Sequence, residues 1–380
     1  MLSLNNDPIK LFPTSYDLIV ERINAISPIK YAKTRNFING DVTYLSAYIS
    51  RGVISVQQIK KAVLQKGYKP YEIEKFLQEL AWREYYQRVW QVKKELIFAE
   101  LKQPQPDFLH HQIPAAIVHA STGIKVIDDQ INAFYSTGYL HNHIRMYVAA
   151  MVCNNAKSHW LTPAKWMYYH LLDGDLASNS CSWQWVAGSF SSKKYYCNQE
   201  NINKYTSTNQ VQTFLDDSYE RIATMPVPNA LEAITTLDLK TNLPQTEVPI
   251  LDTSKPTLLY NSYNLDPLWR ATENVNRVLL LEPSHFNKYP VSEKVIDFIV
   301  ALSKNIDGII VYVGEIDALT KQYENEGLTI SNAFISKEHP AFEYYPGIKD
   351  SRDWMFPNTE GYYPSFFGFW KKGTSAKNKK

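Results

Sequence analysis

Residues 170–185 read HLLDGDLASNSCSWQW and complete an aromatic run that begins WMYY at 166. WMYYHLL (166–172) reads as helix. Asp, Gly, Asn and Ser are turn residues, so the helix ends and the chain turns near Asp173. That reading leaves Trp183-Gln184-Trp185 unaccounted for. A metal reading of Asp173-x-Asp175 fails on context: such pairs usually follow a buried strand, a divalent ion asks for more oxygen ligands, and no third carboxylate lies nearby. His141-x-His143 fails too, because residues two apart on a helix point to different faces. No metal is expected.

Working outward, 380 residues leave room for roughly two or three domains. The net charge of +2 is uneven. Residues 1–220 carry 23 Lys and Arg against 19 Asp and Glu, and the remainder carries 17 against 19. Any basic surface therefore belongs to the N-terminal part, with too small an excess to identify a nucleic-acid partner. Cys153, Cys181 and Cys197 are scattered and form no CxxC pair, which argues against a disulfide framework, an iron–sulfur cluster or a structural zinc. Without a secretory signal or an apolar run of about 18 residues, the chain reads as cytoplasmic and not membrane-spanning. Tyr, Phe and Trp make up 13% of residues, enough for a large core or for stacking on flat ligands.

Helical spacing dominates residues 16–201. EIEKFLQELAWREYYQRVW (72–90) places Ile73, Phe76, Leu77, Leu80 and Ala81 on one face, and LHNHIRMYVAAMV (140–152) does the same with Leu140, Ile144, Tyr147, Val148 and Met151. Five prolines between 226 and 256 interrupt the periodicity and mark a linker. RVLLLEP (277–283), GIIVYVG (308–314) and LTISNAFIS (328–336) then alternate with the helical VSEKVIDFIVALSKN (291–305), the pattern of an α/β unit around a parallel sheet. Neither GxGxxG nor GxxxxGK[ST] occurs there, so no nucleotide site is expected in it.

Two polar stripes stand out on the helices. Glu79, Trp82, Arg83 and Tyr86 share a face, as do Asn142, Arg145, Met146 and Ala149. Glu79 and Arg83 suit an ordinary i,i+4 ion pair, but a buried polar stripe also suits a polar cofactor. Thr43 and Ser46 precede an expected helix and read either as a plain N-cap or as hydroxyls for a phosphate.

Four segments, in this order, resemble the FAD-binding helical domain of the photolyase and cryptochrome family. They are TRNF with TYLSAYISRGVIS (within 34–55), LQELAWREYY (77–86), TGIKVIDDQINAFYSTGYLHNHIRM (122–146) and LLDGDLASNSCSWQW (171–185). The resemblance implies a mainly α fold: an all-helical photolyase-type FAD-binding domain over 1–225, a Pro-rich linker over 226–257, a small α/β domain over 258–345, and an aromatic then basic tail over 346–380. It implies FAD as cofactor, with Tyr31, Thr43, Leu45 and Ser46 on the phosphate and ribityl side. Arg83, Asn142 and Arg145 would lie along the flavin, Asp173 and Asp175 beside its isoalloxazine and adenine ends, and Asn179 at flavin N5. Trp183 and Trp160 match the first two members of the family's electron-transfer chain. Trp82 and Trp185 match the walls of a pocket for a flipped-out pyrimidine dimer, which Glu79, Asn142 and Met146 would contact.

The implied activity is that of a DNA photolyase: light-driven electron transfer from reduced FAD to pyrimidine dimers in DNA. The alternative is a cryptochrome-like blue-light sensor without repair activity. Three departures separate the chain from the repair pattern. The matching region begins near residue 15, with no antenna-type α/β domain ahead of it, so no antenna pigment is expected. Residues 101–123 contain no tryptophan, so a surface electron donor is missing or is a tyrosine. His143 and Cys197 replace arginines that grip DNA phosphate, with Lys193 and Lys194 nearby as substitutes.

Overall fold

Glu74–Lys93 forms a 20-residue helix, α1, with an acid in its first turn and a lysine in its last, as the helix dipole favours. Its second half is buried almost all round, including Glu84, Tyr85, Gln87, Arg88, Val89 and Trp90, the burial of a central helix rather than a surface one. It stops at Lys94, whose φ of 47° is left-handed. Helix α2 (Asn142–Ala150) starts at His141, whose Nδ1 accepts the His143 N–H, and runs into a buried π-helical turn, Met151–Asn155. Leu161–His170 forms α3, so the aromatic run is helical as expected. Leu176–Ala187 forms α4. Asp175 caps it by accepting the Ser178 N–H at 2.7 Å, and Gly188 (φ 83°), a conformation that costs glycine little, closes it.

The computed structural model describes residues 11–375, which fall into two compact units. The first holds residues 27–43 and 71–238. In it α4 packs against α1, α2 and α3, over a core that includes Phe134, Ile144, Tyr147, Val148, Cys153, Trp160, Trp166 and Trp183. It is not purely helical: Ile113–Pro114 pairs antiparallel with Ile234–Thr235.

The second unit holds residues 12–26, 44–70 and those from 239 onward. Its sheet contains β1 (Thr257–Tyr260), β2 (Asn276–Leu281), β3 (Ile309–Val313), β4 (Phe334–Lys337) and β5 (Ile348–Asp350). The order is β3-β2-β1-β4-β5, with every neighbouring pair parallel. The helices Glu293–Ser303 and Asp317–Asn325 connect β2 to β3 and β3 to β4, as parallel strands require.

The expected boundaries therefore shift. Residues 12–26 and 44–70 cluster with the sheet rather than with the helical unit. Arg51, 1% exposed, donates to the Ser262 carbonyl, and its own carbonyl accepts the Leu265 N–H. The region expected as linker is not loose beyond 238. Thr241 exchanges hydrogen bonds with Val291, Thr246 Oγ1 accepts the Val313 N–H, and Gln322 holds Leu251 and Pro249. The expected tail contains β5 and a helix, Phe366–Gly373, so the α/β unit is larger than the sequence pattern suggests. The last residues of the expected basic tail, 376–380, lie outside the described residues. Among the described residues no helix is long and apolar enough to cross a membrane.

Candidate functional site

Each of α1, α2 and α4 leaves one stripe incompletely covered. On α1, Glu79, Trp82, Arg83 and Tyr86 are partly exposed, whereas Ala81, Glu84 and Tyr85 between them are buried. On α2, Asn142 is exposed and Arg145 and Met146 are partly so. On α4, Ser178 and Asn179 are partly exposed and Ser182 and Trp185 exposed, with Ala177, Ser180, Cys181, Trp183 and Gln184 buried around them. α1 and α2 each pack against α4, and all three thus retain polar and aromatic surface. Ser178 Oγ is itself buried with no hydrogen-bond partner, as expected where a polar ligand completes the bonding.

Two arginine–aspartate pairs frame this surface. Arg145 donates from NH2 to both Asp173 oxygens at 3.0 Å and from Nε to the Leu140 carbonyl at 2.7 Å. Arg83 NH2 lies 3.5 Å from Asp175 Oδ2. Both aspartates singled out in the sequence are thus engaged by guanidinium groups, and Asp175 also caps α4. Among the described residues no cluster of three or more His, Cys, Asp and Glu has metal-binding geometry.

Glu79 pairs with Arg35 Nε at 3.2 Å and with Lys75 at 3.3 Å. The i,i+4 pair of Glu79 with Arg83 is not the arrangement found, because each residue has a partner from another turn or another helix. Asn142 directs Nδ2 toward Met146 Sδ at 3.9 Å. Asn179 Nδ2 donates to the Ala164 carbonyl on α3 at 2.8 Å, which leaves its amide oxygen as the acceptor it can offer. Trp82 contacts Tyr85 and Tyr86, with ring centroids 5.7 and 5.5 Å apart. Trp185, 38% exposed, lies 6.0 Å from Tyr195. Trp183 and Trp160 are buried, and the Trp160 indole N–H has no acceptor.

The phosphate-side residues divide. Tyr31, in the helix Pro28–Thr34, sets its ring edge-on to Phe76 at 5.2 Å, and burial followed by the Glu79 charge pushes its hydroxyl pKa well up. Thr43 also belongs to the helical unit, but Leu45 and Ser46 belong to the α/β unit. The N-cap reading of Thr43 and Ser46 does not hold. Leu45 occupies the cap of the helix Ser46–Ser50 with no side-chain bond, and Ser46 is that helix's first residue. Burial holds His143 below the ordinary histidine range and pushes the Cys197 thiol up to about 12. Lys194 pairs with Asp107 at 3.1 Å, while Lys193 is exposed.

Sequence reasoning missed Arg35, Gln87, Ser178 and Ser182. Arg35 lies within TRNF, and Gln87 stands one turn after Arg83 on α1. Ser178 and Ser182 are i,i+4 neighbours on α4, a spacing that could have revealed a third stripe.

Residues 76–222 match the family model described as the FAD binding domain of DNA photolyase. A deoxyribodipyrimidine photo-lyase from Buchnera aphidicola is 25% identical over 66% of this chain and 55% of its own length. One from Synechococcus is 30% identical over 42% of this chain and 35% of its own. The chain thus spans about half, or less, of the curated relatives it matches. A cryptochrome structure from Synechocystis aligns over 51% of this chain and 44% of its own, at 22% identity and a TM-score of 0.46. Residues 76–222, within the helical unit, thus match the FAD-binding domain of the photolyase family, and the cofactor of that domain is FAD.

Proposed function

We propose that the protein is a light-driven repair flavoprotein that splits pyrimidine dimers in DNA. The observation that carries this reading is the set of uncovered stripes on α1, α2 and α4, which combine FAD-type polar residues with two partly exposed tryptophans. The residues fit the cofactor. Ser178 Oγ lacks a partner, the Arg145–Asp173 pair supplies fixed charges beside a flavin ring, and Asn179 presents an acceptor. Held by these residues and reduced, FAD would supply under blue light the electron that opens the cyclobutane ring and would take it back afterwards.

The protein's own groups bind and orient. Asn179, with Nδ2 committed to Ala164, offers an oxygen suited to the N–H that a reduced flavin carries at N5. Trp82 and Trp185 provide flat apolar walls for the two linked pyrimidines of an extruded dimer. Arg35 and Lys75 hold Glu79 beside the lesion, so it enters the pocket already paired. Trp183 and Trp160 connect the flavin with the helical core as an electron path.

A blue-light sensor without repair is the second reading. It is favoured by His143 and Cys197, which burial keeps neutral where a DNA-gripping surface would carry charge. Binding distinguishes the two. Loss of one stacking wall removes about 1–3 kcal/mol, so Trp185→Ala should weaken binding of dimer-containing single strands by roughly ten- to a hundredfold while FAD stays bound. Equal affinity of wild type for damaged and undamaged strands would favour the sensor.

A further inference from the structure

Gln87 is buried on α1 one turn beyond Arg83, and its Nε2 donates to Asp175 Oδ2 at 2.5 Å. Arg83 NH2 approaches the same oxygen only to 3.5 Å. The second oxygen of Asp175 accepts the Ser178 N–H and starts α4. One buried carboxylate therefore serves a neutral amide, a guanidinium and a helix cap.

From this we infer that Gln87 is a positioning residue of the flavin site. It fixes the plane of the Asp175 carboxylate, so that one oxygen caps the helix bearing Asn179 and Trp185 while the other retains Arg83. The inference rests on the FAD reading for its effect on the cofactor, but not for its effect on Asp175.

The chemistry favours a neutral donor here. A charge-assisted pair usually closes to about 2.7–2.9 Å, so Arg83 at 3.5 Å restrains Oδ2 only weakly, and the Ser178 N–H at 2.7 Å holds only the other oxygen. Rotation toward Arg83 would withdraw the oxygen from the Ser178 N–H. The carboxamide opposes that rotation without bringing a second positive charge, so Asp175 balances Arg83 alone. A lysine or arginine at 87 would compete with Arg83 for the same oxygen.

The test uses Gln87→Met, which keeps length and volume but removes the donor, alone and combined with Arg83→Met. In the FAD-free protein, the Ser178 amide should exchange its hydrogen roughly tenfold faster in Q87M, as expected for a loosened cap. FAD, titrated by flavin fluorescence, should bind about tenfold more weakly to Q87M than to wild type, an effect the size of one hydrogen bond to a charged group. In the Arg83→Met background the same substitution should add less than about twofold, because both act through one carboxylate. Gln87→Glu, which replaces the donor with a like charge, should exceed Q87M in both readouts and covers the case of a misfolded Q87M. Unchanged Ser178 exchange overturns the inference. So does a loss of FAD affinity that is equal with and without Arg83, which would make Gln87 a packing residue. If wild type takes up no FAD, the FAD reading fails, while Ser178 exchange still decides whether Gln87 orients Asp175.

Discussion

Asp173 is nearly buried, with 8% of its side chain exposed, and meets Arg145 through both oxygens. Removing one member of such a pair leaves the other charge uncompensated. About 3 kcal/mol is expected, the low end of the range for buried pairs because Arg145 keeps some solvent contact and its bond to Leu140. Asp173→Ala should therefore purify with most of its flavin lost, measured as the ratio of visible to ultraviolet absorbance. Retention of a full complement of FAD would remove Asp173 from the site.

A second residue-scale effect is a pH dependence. Burial, then the neighbouring His143 and Arg145, push the His141 pKa down to about 4, and its neutral Nδ1 caps α2. Between that value and the ordinary value near 6.5 the unfolded chain binds more protons than the folded one, so stability falls as pH drops through this window. His141→Asn, which caps without titrating, should flatten the fall by about 1–3 kcal/mol in urea unfolding across the window. An identical slope in mutant and wild type would contradict this. These residue-level pairings were the least legible in the sequence. Arg35–Glu79 and Gln87–Asp175 join residues 44 and 88 positions apart, and no local pattern reports such meetings.

At the scale of elements the sequence was more informative. Period-3.6 spacing placed α1 and α2 and their polar stripes, and turn chemistry at Asp173 placed the break before α4. What it could not give was the face of α4, because nearly every residue of LASNSCSWQWVA is small, aromatic or weakly polar, so inward and outward positions look alike. Packing resolves the question: Trp183 turns into the core and Trp185 out of it. The intervening Gln184 is fully buried, with both ends of its amide bonded to backbone at Ile97 and Leu101. This arrangement suits Trp183 to electron transfer and Trp185 to ligand contact. Trp183→Phe should slow photoreduction of bound flavin in the presence of a mild reductant, followed at the flavin visible band, while Trp185→Phe should not. Equal rates in wild type and Trp183→Phe would remove Trp183 from the path.

For the whole molecule, the alternation of apolar strands and helices correctly indicated a parallel sheet but not its extent. The strand β1 is four residues long, follows Pro256 and is buried throughout, so it has no period to detect. The strand β5 has three residues and lay within the region read as tail. Gly347 positions β5: its φ is 82°, and a Cβ there would sit 2.0 Å from the Phe334 carbonyl oxygen at the start of β4. Gly347→Ala should cost about 3 kcal/mol or more in the α/β unit, from left-handed strain and a backbone clash. Denaturant unfolding followed by tryptophan fluorescence tests this, and a change under about 1 kcal/mol would show that the edge strand relaxes freely.

If the helical unit holds FAD beside a pocket for a pyrimidine dimer, light alone should drive repair. The most direct test illuminates purified protein carrying reduced FAD with blue light, together with dimer-containing single- and double-stranded oligonucleotides. Dimers should be lost in the light and not in the dark, with a large reduction on Glu79→Ala while FAD stays bound. Dimers left intact in both strand forms by illuminated, FAD-loaded wild type would contradict this.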